Sequence, residues 1–420
     1  MIDYFQEESV FIMLLSIALI LILGMFLGFL CKKIKLPSLV GMLLTGIILG
    51  PYVLNFLDSS IVNISAEIRK IALIIILTRA GLSLDFSVLK KIGRPAILMC
   101  FLPATFELTG MLLLGPRLLG LSVLESAILG SVLAAVSPAV VVPRMVKLME
   151  EKRGIKKGIP QLILAGASVD DVFVIVLFAT FTGIAQGEGI SVLRFINIPV
   201  SIILGIGSGF FIGWILSKFF EKFHIRDTVK ILIILSISFI LVYLEDSLKT
   251  PITFSALIAI MFIGAGVQKF RNEASKRISA KYNKLWVCAE VFLFVLVGAT
   301  VNINYLGKVG PIALITICGA LIFRMAGVFV CLLGTDLNFK ERLFSMMAYT
   351  PKATVQAAIG GIPLAMGLAC GDTTLTVAVL AIVLTAPLGA FAIDLSYKIF
   401  LKMIINLSIH KQKVRCRNIH

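Results

Sequence analysis

The chain has 420 residues; 59% are hydrophobic, 15% are charged, and the formal net charge is +16. Soluble domains carry about 25% charged residues, so this composition excludes a soluble globular protein and marks a polytopic membrane protein. Seven cysteines lie mostly inside apolar stretches with no C-x-x-C spacing, so free thiols are expected, with neither a disulfide framework nor a thiolate metal site.

Apolar runs follow one another along the chain, and crossing a bilayer as a helix takes roughly 20 residues. The first, near 10–30, comes after Asp3, Glu7 and Glu8 rather than a basic segment and ends on no small-residue cleavage site. It reads as a retained helix and not a signal peptide. Further runs lie near 38–56, 68–84, 95–115, 123–146, 159–184, 196–217, 231–245, 251–267, 286–302, 309–333, 343–368 and 373–397, which makes about 13 transmembrane helices. Interruption by Gly and Pro argues for helices over barrel strands, which would be about ten residues long and alternate polar with apolar. The fold class is therefore all-α. The 34 glycines suit close helix contacts in lipid, and the Gly24/Gly28 spacing reads as helix packing.

Basic residues divide unequally between the two sides. If the spans alternate from an N-terminus outside, the loops KKIK, KKIGR, 147–158, 218–230, 268–285 and 340–342 and the C-terminal segment from Lys398 onward hold 29 of the 39 Lys and Arg. The opposite side holds Arg69, Lys70, Arg117, Arg194, Lys249 and Lys308. The positive-inside rule then places the C-terminus in the cytoplasm and the protein in the cell membrane. Anionic inner-leaflet lipid is the expected partner of these loops and of the tail HKQKVRCR, with no nucleic acid required.

The halves resemble each other at an offset near 214 residues: GLSLDFSVLKKIG at 81–93 matches GATVNINYLGKVG at 298–310, and KLPSLVGMLLTGIILG at 35–50 matches KTPITFSALIAIMFIG at 249–264. Six spans per copy plus one linking span set the second copy across the membrane in the opposite sense, the inverted-repeat plan of secondary transporters. The expected divisions are a first repeat at 1–195, a linking helix and cytoplasmic loop at 196–230, a second repeat at 231–400 and a basic tail at 401–420. Each copy has one broken span, LAAVSPAVVVPRM at Ser137 and Pro138 and MMAYTPKATVQAAIGG at Thr350 and Pro351. Proline removes a backbone donor and clashes with the preceding turn. A simple kink would explain one such span; two at corresponding places point to discontinuous helices. Carbonyls and the Ser137 and Thr350 hydroxyls freed there can meet a cation, and Lys352 can offset the negative ends of half-helices.

Arg79, Arg144 and Glu290 lie near span ends and can snorkel. Glu107, Asp170, Asp171, Arg324 and Lys352 fall well inside theirs. A central charge costs roughly 2.5–3.5 kcal/mol on insertion scales, so these five are either a structural salt-bridge network or a functional site. Glu107 and Arg324 are expected to pair. Neighbouring helix residues point about 100° apart, so of Asp170 and Asp171 one can meet a basic residue while the other opens to a hydrated cavity. A carboxylate there takes a proton or a small cation, and hard oxygen ligands suit an alkali ion.

The stretches GSVLAAVSPAVVVPRMVKLMEEKRGIKKGIPQLILAGASVDDVFVIVLF and YTPKATVQAAIGG resemble the sodium/proton antiporters, in particular the NHA subgroup of the monovalent cation:proton antiporter superfamily. The resemblance implies an NhaA-type fold with two crossed broken helices in a core domain, a dimerisation domain and hence a homodimer, and elevator-like exchange of Na⁺ or Li⁺ for H⁺. It further implies Asp171 as the main ion-binding carboxylate, Asp170 as the acid that pairs with a basic residue, Arg324 as that residue, Lys352 beside the second break, and Glu107 as an acid that can pair with the arginine. Electrogenic bacterial members carry lysine where this chain has Arg324. The substitution favours one proton per sodium, whereas the adjacent aspartates are typical of electrogenic members.

Potassium/proton exchange or sodium-coupled uptake of an organic anion would fit the same fold. An intramembrane aspartyl protease needs two carboxylates facing each other to share a proton, and neighbours on one helix diverge. No GxSxG, HExxH or P-loop is present, and no cofactor beyond the transported ions is expected.

Overall fold

The structure is a computed structural model that describes residues 2–84, 93–188, 192–223, 225–247 and 255–402. The stretches 85–92 and 249–254 and the tail beyond 402, on which parts of the repeat match and of the lipid-binding expectation rest, lie outside the described residues. Those described form helices and turns with no strand. In chain order the helices are α1 (Ile2–Lys33), α2 (Ser38–Leu49), α3 (Ser59–Asn63), α4 (Ser65–Leu82), α5 (Arg94–Met99), α6 (Leu102–Leu114), α7 (Val123–Leu133), α8 (Pro138–Glu150) and α9 (Ile159–Gly183). There follow α10 (Val192–Lys222), α11 (Asp227–Ser247), α12 (Ala256–Phe270), α13 (Asn272–Ala299), α14 (Ile303–Cys331), α15 (Phe339–Ala348), α16 (Thr354–Ile359), α17 (Ile362–Ala365) and α18 (Gly371–Phe400).

Nine helical stretches among the described residues are long and apolar enough to cross a membrane. Every apolar span read from the sequence coincides with a helix, but α2, α4, α12 and the α16–α17 segment are too short or too charged to be assigned as crossings on length and composition alone. Two boundaries differ from expectation. The span read as 38–56 stops as a helix at Leu49, because Pro51 disfavours helical backbone at Gly50. The segment 268–285, expected to be a basic loop, is instead mostly the first half of α13. Its Ala274, Ser275, Ile278 and Tyr282 recur at helical spacing and are buried while its lysines face out.

Packing repeats itself across the two halves. α1 lies on α2 as α11 lies on α12, and α2 lies on α13 as α12 lies on α4. The most extensive contact, between α10 and α12, falls outside this pattern, whereas two other large ones, α6 with α14 and α4 with α13, join elements that are about one repeat offset apart in sequence. Glycines make the equivalent crossings close. A Cβ on Gly46 would collide with the Val295 carbonyl and one on Gly298 with that of Leu43; a Cβ on Gly81 would collide with the Met261 carbonyl, and one on Gly264 would stand 2.7 Å from that of Thr78. Gly81 and Gly298 are the paired first residues of one sequence match. The Gly24 and Gly28 pair likewise faces Val291 and Val295 of α13 and Ser38 of α2.

Both expected breaks are present: four residues separate α7 from α8 and five separate α15 from α16. The breaks cross, because the Ser137 amide donates to the Pro351 carbonyl at 2.7 Å. Pro138 opens α8 at a helix's first position, where its missing N–H is not needed. Beyond the crossing, Arg144 pairs with Asp394 at 3.2 Å and Lys157 with Glu341 at 2.7 Å, closing one end of the bundle.

Candidate functional site

Four charged side chains are drawn in around the crossing. α6 supplies Glu107, α9 Asp170, α14 Arg324, and the second break Lys352; all four are 0% exposed. Arg324 Nη1 lies 2.9 Å from Glu107 Oε2, and Nη2 lies 2.7 Å from Asp170 Oδ2. Lys352 Nζ reaches the other oxygen of Glu107, Oε1, at 2.7 Å. Glu107 therefore holds two cations, and Arg324 bridges two carboxylates. Asp170 Oδ2 also accepts the Val136 amide at 2.9 Å, which fastens α9 to the first break.

The same cations close the backbone at that break. A helix ends with carbonyls that lack intrahelical donors and with partial negative charge. At the end of α7 the Leu133 carbonyl accepts Lys352 Nζ at 2.5 Å, and the Ala134 carbonyl accepts Arg324 Nη1. Gln356 Nε2 donates toward Val132, Leu133 and Ala135 at 3.2, 3.3 and 2.9 Å. Arg324 Nε meets the Tyr349 carbonyl at 2.7 Å, its guanidinium sits 5.1 Å over the Tyr349 ring, and the Lys352 amide donates to Thr385 Oγ1 at 2.9 Å. Unpaired buried backbone groups are costly, so the charge network and the two breaks depend on one another.

Asp171 stands apart. It is 6% exposed, and its Oδ1 has no hydrogen-bond partner. Asp170 Oδ1, Ser137 Oγ, Thr354 Oγ1 and Gln356 Oε1 are likewise buried and unpartnered. Thr350 differs from Ser137: its hydroxyl donates to the Met347 carbonyl at the end of α15, the helix before the break, at 2.9 Å. Of the residues singled out from sequence, Glu107, Asp170, Arg324 and Lys352 thus join one network. Ser137, Pro138, Thr350 and Pro351 form the crossing, and Asp171 flanks it without a cation of its own.

Sequence reasoning missed Gln356 and Arg69. Gln356 was legible as an amide one turn after Lys352 in an apolar run. Arg69, counted with the outer loops, is 3% exposed in α4; its spacing to the buried Ala72, Leu73 and Ile76 was the available signal.

Crossed discontinuous helices meeting buried carboxylates in a membrane bundle define a secondary transporter of small ions. The family model described as sodium/hydrogen exchanger, transmembrane, matches residues 15–394, and the chain belongs to that family. Sodium/hydrogen exchanger 9B2 of Homo sapiens is 34% identical over 86% of this chain and 69% of its own. Sodium/hydrogen exchanger 9B1 of Homo sapiens is 32% identical over 84% and 70%. In fold the chain is similar to the sodium proton antiporter MjNhaP1 from Methanocaldococcus jannaschii, with a TM-score of 0.82 at 20% identity over 93% of this chain and 99% of that one.

Proposed function

We propose that the chain is a secondary active antiporter that exchanges Na⁺ or Li⁺ for H⁺ at Asp171, assisted by Asp170 and by freed oxygens at the break, Ser137 first. Charge balance carries the reading. Glu107 and Asp170 are matched by Arg324 and Lys352 through direct ion pairs, so an ionised Asp171 is the one charge of the cluster left over. A proton or a monovalent cation neutralises it equally well, and the two compete for one carboxylate. That competition is an exchange reaction, and α7–α8 and α15–α16 supply the crossed support that lets the site face either side in turn as a core domain moves. In this reading the repeats span 1–195 and 231–400 with the linker 196–230 between them. The chain works as a homodimer in the cell membrane with its N-terminus outside and its basic loops and tail on anionic inner-leaflet lipid.

The test is proteoliposomes holding a lumenal pH dye. Na⁺ or Li⁺ added outside should move protons with the native protein, whereas choline should not; addition of K⁺ reads the selectivity. Asp171→Asn, correctly inserted, should abolish the response, because an amide neither carries the proton nor attracts the cation. Normal Na⁺-dependent dye recovery in that variant refutes the assignment.

A further inference from the structure

Outside the charge network, a cavity of about 220 Å³ lies between the start of α4, the end of α13 and the turn that follows α16. Its lining includes Asn63, Ser65, Arg69, Thr300, Gly361 and Leu375. Arg69 is 97% buried by its 3% exposure, and its Nη1 has no hydrogen-bond partner. Its Nε donates to the Ser65 carbonyl at 3.1 Å, which fixes the stem and leaves the far end of the fork facing the cavity. Gly361 sits against that fork: a Cβ there would collide with Nη1 and stand 3.1 Å from Nη2. Glu67, an exposed neighbour on α4, acts on Arg69 through charge. A guanidinium cannot shed its proton to escape burial, and a buried donor left unmade is costly.

We propose that Arg69 and this cavity form a binding site for a small monoanion, chloride or a short carboxylate. Among the lining residues Arg69 is the only charged one, and Asn63 and Ser65 offer neutral polar groups beside it, whereas the Thr300 hydroxyl donates to the Val297 carbonyl at 2.9 Å. One positive charge matches one negative charge, so a dianion such as sulfate would be left half-compensated. The bound anion would tie α4, from one repeat, to the segment following the broken helix of the other. It therefore has the means to stabilise the core near the break without touching Asp171.

The experiment uses the purified full-length protein and ³⁶Cl⁻ in a scintillation proximity assay. Saturable binding is expected, displaced by bromide and acetate and not by sulfate or bulky gluconate. Arg69→Gln should weaken it by about tenfold or more, the loss expected for a charge-assisted hydrogen bond. Ala66→Leu, which keeps the arginine and fills the cavity, should weaken it as well. Absence of saturable binding to the native protein, or binding unchanged by Arg69→Gln, overturns the site, and displacement by sulfate overturns its preference for a monoanion. Crystals of the native protein grown with bromide give a reading independent of either variant folding. An anomalous peak within hydrogen-bond reach of Arg69 Nη1 that persists at low bromide supports the site. A peak that fades in proportion to bromide identifies an adventitious ion only and refutes it.

Discussion

Glu107 touches both buried cations, so its loss should be felt twice. Glu107→Gln strands Lys352 among carbonyls and leaves Arg324 facing Asp170 alone. Breaking a buried pair by removing one partner costs about 3–5 kcal/mol, and that loss should appear in unfolding measured in lipid nanodiscs. Exchanging the charges of residues 107 and 324 is a poor rescue, because a glutamate at 324 would face Asp170. Removing Glu107 and Lys352 together should instead cost less than the two single losses added. Agreement with simple addition to within about 0.5 kcal/mol would show that the residues are not coupled. The five buried charges were legible in sequence because each lies in an apolar run, three of them singly and Asp170 with Asp171 as an adjacent pair. The pairing of Glu107 with Arg324 was expected and is found, but the backbone partners were not legible, since Leu133, Ala134 and Tyr349 take part through carbonyls, which every residue has.

Among elements, the breaks and the glycine crossings make the scaffold. A Cβ on Gly81 would run into the Met261 carbonyl, and backbone cannot move aside as a flexible side chain can. Gly81→Ala should destabilise by about 1–3 kcal/mol, the usual range for overpacking, and Gly298→Ala, its counterpart in the other half, by a similar amount. Gly207→Ala is the control: a Cβ at Gly207 meets nothing within 4 Å, and alanine is the better helix former. Melting temperatures of the three variants in one lipid check this. Equal melting of Gly81→Ala and Gly207→Ala would contradict the close crossing. The proline breaks were readable because proline acts locally through its own ring. The basic stretch in α13 was misread because it becomes helix only by laying Ile278 and Tyr282 into neighbours that are distant in sequence.

For the whole molecule the open quantity is charge moved per cycle. Arg324 stays protonated throughout, and four donor contacts hold it to Glu107, Asp170, Ala134 and Tyr349. If, as proposed, Asp171 carries both the proton and the cation, exchange should be one for one and electroneutral. Transport in liposomes under a valinomycin-clamped potential should run at a rate independent of voltage. A transient current on a solid-supported membrane that reverses with the Na⁺ gradient would contradict it. Arg324→Lys tests the cause: a titratable partner for Asp170 should bring voltage dependence, at some loss of stability because lysine cannot reproduce the planar fork.

Composition and periodicity by themselves determined that this chain is an all-helical membrane protein, that two of its helices are broken, and that five charges are kept where lipid penalises them. Those properties are local, carried by apolar runs, prolines and isolated ionisable side chains, and each has a cost that single residues reveal. Composition and periodicity do not separate Asp170 from Asp171; the family resemblance gave the basic partner to Asp170, and the approach of α14 and of the Val136 amide to that residue is what makes the salt bridge there and leaves Asp171 unpaired. The same holds for Arg69, an ordinary interfacial arginine until α4 packs against the turn at Gly361 and closes it off from solvent. Partners separated by 154 residues, as Arg324 and Asp170 are, meet through the packing of whole helices, which no local stretch of sequence encodes.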